Sequence, residues 1–381
     1  LCRDGERSYQ LKNRGETGRT ETHLRGPGIA CQIDATTADI YLVSRDDRTA
    51  IVGRPTMYFQ MDSASHIVTG MNISLDPPSW ENAARTILNS VEDKVEYCAR
   101  YGVDITPEEW PCMHFPSVIF ADPGEMESRT ADLLCKHLGI SVENAPPYRG
   151  DLKGIIEKHF DLINIDMASL PGKVEKDFRQ RCARDYRLES ALDLYEFTAI
   201  VIRCVLQYNN YHYMEAFRKT PQMRQLHVRP IPRDIWEFGI RYMSGGLRTM
   251  EREHVRYHLL PKGEASVTRM GIRFDGRYYT CDQAEQERWY DIARSASSWK
   301  VTAAYDPRDA GLIYISPTSG AAPLECRLLE KDRIYEGTST EEAQRMAAFD
   351  HEEQAAAGLH DGRKISGAHA LGGTASAFLV R

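Results

Sequence analysis

No stretch of about 18 apolar residues occurs in the 381-residue chain, and its N-terminus is polar and charged. That argues against a membrane span and against a signal peptide. The nine cysteines (Cys2, Cys31, Cys98, Cys112, Cys135, Cys182, Cys204, Cys281 and Cys326) are odd in number, scattered, and never spaced as CxxC. Neither a disulfide framework nor a zinc site is expected from such a pattern. Reduced thiols, mostly in apolar surroundings, are the simpler reading. An internal repeat is missing as well. So is any surplus of positive charge: the formal net charge is −7, which weighs against nucleic acid only if the total is what counts, and a local patch matters more.

Locally the balance differs. From Arg218 to His258 nine Lys/Arg stand against four Asp/Glu, whereas Ala321–Arg381 carries seven basic and ten acidic residues. An acidic tail therefore hides a basic middle, a pattern compatible with DNA. The chain opens on Leu1 and not on methionine, and reads as a piece of a longer protein. Its 42% of hydrophobic residues suffices for a sizeable core, and the length suits two or three domains at about 100–200 residues each.

Residues 1–27 are charged and aperiodic and read as a linker or arm. The run GIACQIDATTADIYLVS is β-prone and reads as one long or bulged strand, or as a hairpin. TMYFQMDSASHIVTGMNIS offers two more strands around a Ser-Ala-Ser turn. Ser79 is a suitable N-cap for a helix with Trp80, Ala84, Ile87, Leu88, Val91 and Val95 on one stripe, running to about Arg100. Pro116 to Ala121 makes a buried strand that ends at Asp122. Helices follow at Glu127–Leu138 and Asp151–Asp166, with a short strand at Ile140–Val142 between them. The order is mixed α/β around a central sheet. A strong helix spans about Leu188 to Tyr208. After Pro261 short β-prone pieces separated by Gly, Asp and Pro predict a small all-β barrel. The domains expected are an α/β domain over 28–185, a helical link over 186–258, a β-barrel over 259–318, and a C-terminal helix with a flexible tail over 319–381.

Three acids stand where such a fold brings carboxylates together. Asp34 lies inside an apolar strand, and alternation puts Gln32, Asp34 and Thr36 on one face. Asp122 ends a buried strand. Glu157 sits mid-helix, with Lys153 one turn before it on the same face. A carboxylate within an apolar strand costs several kcal/mol unless it is paired or bound to metal, so Asp34 needs an explanation more than most of the 55 acids. Hard oxygen ligands suit Mg²⁺ or Mn²⁺, and two such ions suit phosphoryl transfer. Some Asp–Asp–Glu spacing is bound to occur among so many acids, and Asp62 is a rival for the first position. Asp39 and Asp46 read as solvated turn residues.

The strings around these acids carry more. CQIDATTADIYLVS, IVGRPTMYFQMDSASHIVTG, FADPGE and PPYRGDLKGIIEKHF occur in that order, with Asp122 88 positions after Asp34 and Glu157 35 further on. Together they resemble the DDE transposase/integrase family, in particular TnsB-like transposases and more distantly phage Mu transposase. YNNYHY, LLPKGEASVTRMGIRF and YDPRDAGLIYI look like the same family's helical link and β-barrel, so the likeness covers about residues 28–316. The resemblance implies an RNase H-like catalytic domain with Asp34, Asp122 and Glu157 as the metal-binding triad. It implies two Mg²⁺ ions per site, replaceable by Mn²⁺, which serve cleavage at transposon 3′ ends and transfer of the freed 3′-OH ends into target DNA. It further implies a DNA-contacting barrel and a homo-oligomer on paired ends. The partners it implies are a separate endonuclease subunit and an AAA+ ATPase regulator, in a bacterial cytoplasm beside the nucleoid. Two departures stand out: Pro123 follows Asp122 where many relatives carry a polar residue, and no helix-turn-helix precedes residue 28.

Around Glu157, Arg149, Lys153 and Lys158 are candidates for substrate phosphates, with helix ion pairing to Asp151, Glu157 or Asp161 as the alternative. Arg224, Arg229, Arg233, Arg241, Arg248, Arg252 and Arg256 form either a phosphate-tracking, salt-sensitive face or a solvated one. His66 and His114 read more readily as hydrogen-bonded histidines than as metal ligands. Trp80, Trp110, Trp236 and Trp299 read as core or barrel anchors. Two other functions remain open: an RNase H-type nuclease acting by hydrolysis only, and a non-catalytic DNA-binding scaffold.

Overall fold

A computed structural model describes residues 26–121, 134–144, 154–167, 169–174, 186–243, 247–317 and 321–349; Glu157 is described by its backbone alone. The chain divides into two compact units between Leu260 and Pro261.

The first unit is built on β1 (Ala30–Thr37), β2 (Leu42–Val43), β3 (Ile51–Gly53), β4 (Thr56–Asp62), β5 (Val68–Ser74), β6 (Val118–Ala121) and β7 (Ser141–Asn144). Five of these form one sheet in the order β5-β4-β1-β6-β7, while β2 and β3 make a separate ribbon. β1, β4 and β5 pair antiparallel, and β1, β6 and β7 pair parallel. Such a mixed sheet, covered by helices, is the RNase H-like arrangement. The helices are α1 (Trp80–Val91), α2 (Lys94–Ala99), α3 (Gly154–Asp166), α4 (Leu194–Tyr211), α5 (Pro221–Gln225), α6 (Pro232–Tyr242) and α7 (Arg252–Leu259). Residues 134–138 add one π-helical turn.

Strand register assigns the two faces. Directly opposed residues of antiparallel strands project to the same side, so Asp34, Phe59 and Met71 share one face, and Ala35, Tyr58 and Asn72 the other. α3 and α4 cover the first: Phe59 lies 5.1 Å from the His159 ring and 5.5 Å from Phe160. α1 covers the second, where Asn72 Nδ2 donates to Asn82 Oδ1 at 3.1 Å. Gly70 lets α1 approach this closely, since a Cβ there would stand 2.5 Å from the Thr86 carbonyl oxygen.

The stripe expected to run unbroken from Trp80 to Arg100 is two helices. Glu92 takes an extended conformation, and Asp93 starts α2 by accepting from the Val95 and Glu96 amides at 2.8 and 3.0 Å. Lys94, only 2% exposed, donates to the Asn89, Glu92 and Cys112 carbonyls and fixes the break. Burial pulls its amine down to about 8. The long helix begins at Leu194 rather than near Leu188, because Asp193 and Glu196 form a reciprocal capping box.

The region 186–258 is not a detached link. Phe197, Ile202, Val205 and Trp236 share one core with Met57, Phe59, Met61, Ile156, Phe160 and Ile163. Nor does the arm extend to residue 27 as a free segment, since Gly26 and Pro27 are buried. Residues 127–133 of the helix expected over Glu127–Leu138, residues 1–25 of the arm and residues 350–381 of the tail lie outside the described residues.

The second unit holds β8 (Lys262–Thr268), β9 (Gly271–Phe274), β10 (Arg277–Thr280), β11 (Trp299–Asp306), β12 (Asp309–Ile315) and β13 (Leu324–Leu328), with α8 (Asp282–Gln286) and α9 (Trp289–Ser295) between β10 and β11. They close into a barrel in the order β10-β13-β12-β11-β8-β9. The barrel therefore extends past residue 318: its sixth strand stands in the segment that reads as tail. LECRL has only three inward positions, Leu324, Cys326 and Leu328, too few to signal a strand alone. Residues 340–349 are helical.

Candidate active site

β1 is the central strand, hydrogen-bonded on both edges, and Asp34 stands on it opposite Phe59 of β4. The described pairing with β6 runs from Ala30↔Val118 to Gln32↔Phe120. Asp34 thus lies just beyond it, toward the C-terminal ends of the two parallel strands, where open α/β sheets bind ligands. Its carboxylate is half-buried, and Oδ1 accepts from the Ala35 amide at 3.0 Å. Two residues earlier on the same face, Gln32 is fully buried and neither amide atom finds a hydrogen-bond partner among the described residues. A half-buried carboxylate beside an orphaned amide is an environment that a hard cation or another polar group would compensate. An oxygen donor set there fits Mg²⁺.

Asp122 lies outside the described residues; β6 ends at Ala121, its neighbour in sequence. Glu157 lies in the first turn of α3, whose Ile156 and Phe160 pack into the core beneath the Asp34 face. Among the described residues no three His, Cys, Asp or Glu side chains are grouped to hold a metal, and two of the three expected ligands fall outside that set.

Asp62, the rival acid, is a structural group. It stands opposite Cys31, an odd number of residues from the Asp34–Phe59 pair and therefore on the other face. Fully buried, it accepts from the Gly28 and Ser65 amides and the Ser65 hydroxyl, each at 2.7 Å, and from the Ala64 amide at 3.1 Å. Burial pushes its carboxyl up, and these bonds hold it back. It ties residue 28 to the turn after β4.

His159 was visible in the sequence only as part of the α3 pattern. It is 1% exposed, wedged between Phe59 and Tyr208 with ring centroids 5.1 and 4.4 Å away, and among the described residues neither ring nitrogen has a hydrogen-bond partner. Burial, helped by His212, pushes its imidazole down to about 3, so it is neutral. The YNNYHY string contributes Asn209, whose amide brackets Val68 by accepting from its N–H and donating to its carbonyl at 2.9 and 3.3 Å. His66 lies edge-on to Phe217 at 6.1 Å. His114 accepts from the Met113 amide at 3.3 Å, and burial lowers its pKa.

The basic candidates are dispersed. Arg149 and Lys153 lie outside the described residues, and Lys158 is exposed on α3. Arg229, also exposed, pairs with Asp234 through two bonds of 2.6 and 3.1 Å. Arg233 donates to Asn210 Oδ1 at 2.7 Å. Arg248 donates to the Gly139 and Leu138 carbonyls at 2.5 and 2.8 Å, a bond set that closes the end of the π-helical turn. Arg252 and Arg256 reach Glu96 and Glu92 at 3.0 and 2.9 Å. Against burial, Arg100 and Arg256 hold the Glu92 carboxyl below its ordinary value. Periodicity could not reveal the pairings of Arg248, Arg252 and Arg256, because each joins segments distant in sequence.

An RNase H-like sheet bearing a half-buried aspartate on its central strand is followed in the chain by a small closed barrel, and known transposase families match the sequence of both parts. Residues 32–172 match the TnsB C-terminal domain family and residues 256–320 the Mu transposase C-terminal family. The chain is similar to the TnsB-like transposases over most of its length. It is 35% identical over 355 residues to the transposon Tn7 transposition protein TnsB of Escherichia coli, covering 88% of this chain and 50% of that protein. It is 24% identical over 286 residues to the transposase for transposon Tn552 of Staphylococcus aureus, covering 69% and 55%. The chain thus spans about half the length of the curated relatives it matches. A solved catalytic core domain of BIV integrase matches at 15% identity and a TM-score of 0.29, covering 52% of this chain and 95% of that one, too slight a likeness to weigh on the reading.

Proposed function

We propose that this chain is the catalytic core of a DDE transposase that cleaves at transposon 3′ ends and transfers the 3′-OH ends into target DNA. The observation that carries the proposal is Asp34: half-buried on the central strand, beyond the described pairing with β6, and on the face that α3 covers. Chain connectivity supports Asp122 as its partner, since consecutive Cα atoms are about 3.8 Å apart and Ala121 ends the neighbouring parallel strand. Glu157 belongs to α3 and completes the set. Asp34, Asp122 and Glu157 would hold two Mg²⁺, or Mn²⁺, ions, which supply activation of the attacking oxygen and stabilisation of the leaving one. The remaining work is positioning: Arg149, Lys153 and Lys158 near the glutamate, and Arg229, Arg233 and Arg248 further along, are the basic groups proposed to meet DNA phosphates. Of these, Lys158 and Arg229 are the described side chains most open to solvent, whereas Arg248 is already committed to the Leu138 and Gly139 carbonyls.

By likeness to the Tn7 protein, the working form is a homo-oligomer on paired transposon ends. It acts in the bacterial cytoplasm at the nucleoid, with an endonuclease subunit and an AAA+ regulator as partners. Among the described residues no helix is long and apolar enough to cross a membrane.

The test combines the protein with Mg²⁺ or Mn²⁺, paired pre-nicked transposon-end DNA and a target plasmid, beside an Asp122→Asn control. Joined product that vanishes in the variant supports the proposal. Hydrolysis without joining points to an RNase H-type nuclease, and a full-length protein inert in both assays points to a scaffold.

A further inference from the structure

Among the six cysteines with described side chains, two meet across the seam that closes the barrel. β10 and β13 pair antiparallel with Tyr279↔Leu328 and Thr280↔Arg327, and the next pair in that register is Cys281↔Cys326. The backbone of Cys281 is still extended there, at φ −145° and ψ 158°, so the register carries on to it. The Leu329 amide donates to the Tyr278 carbonyl at 2.9 Å, which makes 278↔329 a hydrogen-bonded pair. Alternation along the ladder then makes 281↔326 a non-hydrogen-bonded pair, the kind with Cα atoms about 4.5 Å apart and side chains closest together. That separation lies inside the window of about 4.4–6.8 Å that a disulfide spans. Both side chains point into the same apolar cluster, and both are reduced thiols.

The two thiols differ. Cys281 keeps 8% of its surface open and Cys326 none. The Cys326 thiol has two acceptors, the Leu324 carbonyl at 3.7 Å and the Cys281 sulfur. Bonding from Cys326 pulls the Cys281 thiol down to about 7; burial opposes this, and the Ala284 and Gln283 amides at the start of α8 add to it. The Cys326 thiol is pushed up by the same contact and by burial. One sulfur is thus prepared to attack and the other to resolve.

We propose that Cys281 and Cys326 are a redox modification site, a dithiol that a low-molecular-weight disulfide such as oxidised glutathione converts reversibly into a cross-strand disulfide locking the barrel's closing seam. The Cys281 thiolate attacks one sulfur of the small disulfide, forming a mixed disulfide and releasing one thiolate. The Cys326 thiol then gives up its proton and attacks the Cys281 sulfur, expelling the second thiolate. Two protein thiols are oxidised to one disulfide, and one small disulfide is reduced to two thiols. Dithiothreitol runs the exchange backwards. The bond would join the two strands whose pairing closes the barrel, and would enclose the segment carrying α8, α9, β11 and β12.

The test uses the whole chain. Native protein is held with oxidised glutathione at pH 8, quenched with N-ethylmaleimide and mapped by non-reducing peptide mass spectrometry. The expected result is a linked Cys281–Cys326 peptide that dithiothreitol abolishes, while Cys31, Cys98 and Cys112 stay reduced. Oxidised protein should show its barrel transition at least about 5 °C higher than reduced protein. Cys326→Ser should trap the mixed disulfide on Cys281, and Cys281→Ser should leave Cys326 unmodified. The proposal is overturned if the folded native chain yields no linked peptide, if linkage scatters over all cysteines alike, or if glutathione stays on Cys281 in the native chain. The native-chain map decides the matter even if a variant fails to fold.

Discussion

Six strands close on themselves in the barrel, and its interior is lined by residues such as Ala265, Val267, Ile272, Val301, Ile313 and Ile315, with two thiols and a tyrosine among them. The sheet of the first unit stays open and buries Gln32, Gln60, Asp62, Thr69 and Asn72 beside its apolar core. Full closure pairs every strand edge within the barrel itself. An open sheet has to be finished by other segments. Asp62, Lys94 and Asn209 each bind backbone groups from another part of the chain, and a buried polar group left unmatched costs about 1–3 kcal/mol. Gln32, on the Asp34 face, keeps both of its amide atoms unmatched among the described residues. Buried polarity is concentrated in the open sheet, and it is there that metal ions and DNA are proposed to bind.

The sharpest way to break the comparison is to open the barrel. A chain ended after residue 318 loses β13, leaving β10 and β12 each with one unpaired edge. Its barrel should lose its cooperative unfolding transition entirely, followed by hydrogen exchange, while protection in the first unit is unchanged. A barrel that stays protected without β13 would show that closure is not what holds it. Next in size, Asp34→Asn should lower strand joining on the order of 10³-fold, equivalent to several kcal/mol of transition-state stabilisation, with the thermal midpoint within about 2 °C of the parent. A large loss of stability instead would make Asp34 a structural acid like Asp62.

A smaller effect separates the units by pH. His159 is held neutral in the fold, at about 3 against an ordinary 6.5. The unfolded chain takes up a proton there that the folded chain does not, so stability falls as pH drops from about 6.5 toward 3. At about 1.36 kcal/mol per unit this reaches roughly 2 kcal/mol by pH 5. His159→Phe should flatten that slope in urea titrations of the first unit and leave the barrel's slope alone; an unchanged slope would mean the imidazole is not buried neutral. Smallest is Tyr279→Phe, which removes the hydroxyl donating to the Ala310 carbonyl at 2.8 Å and should cost the barrel about 1 kcal/mol, read from its denaturation midpoint.

Much of this was legible in the strand-forming runs. The alternation around Asp34 identified β1 and its polar face, and the two runs on either side of Ser-Ala-Ser became β4 and β5. Other features were hidden for particular reasons. The break after Val91 depends on an aspartate cap and on a lysine whose partners include Cys112, which apolar periodicity cannot register. Arg248 looked like one more member of a basic run, yet it closes a turn more than a hundred residues earlier in the chain. β13 was lost in the tail because five residues with two outward charges give almost no pattern until β10 and β12 are in place beside them.

The sequence by itself determined the fold class, the likeness to TnsB-like transposases and the choice of three acids as candidates, because strand alternation, helix periodicity and ordered motifs are local and are written residue by residue. Only the tertiary structure decided that Asp62 is a fastening rather than a ligand, that residues 186–258 share the core of the sheet, and that Cys281 faces Cys326. Each of those depends on pairing between distant segments, whose register is set by the whole packed core and by no short run of residues.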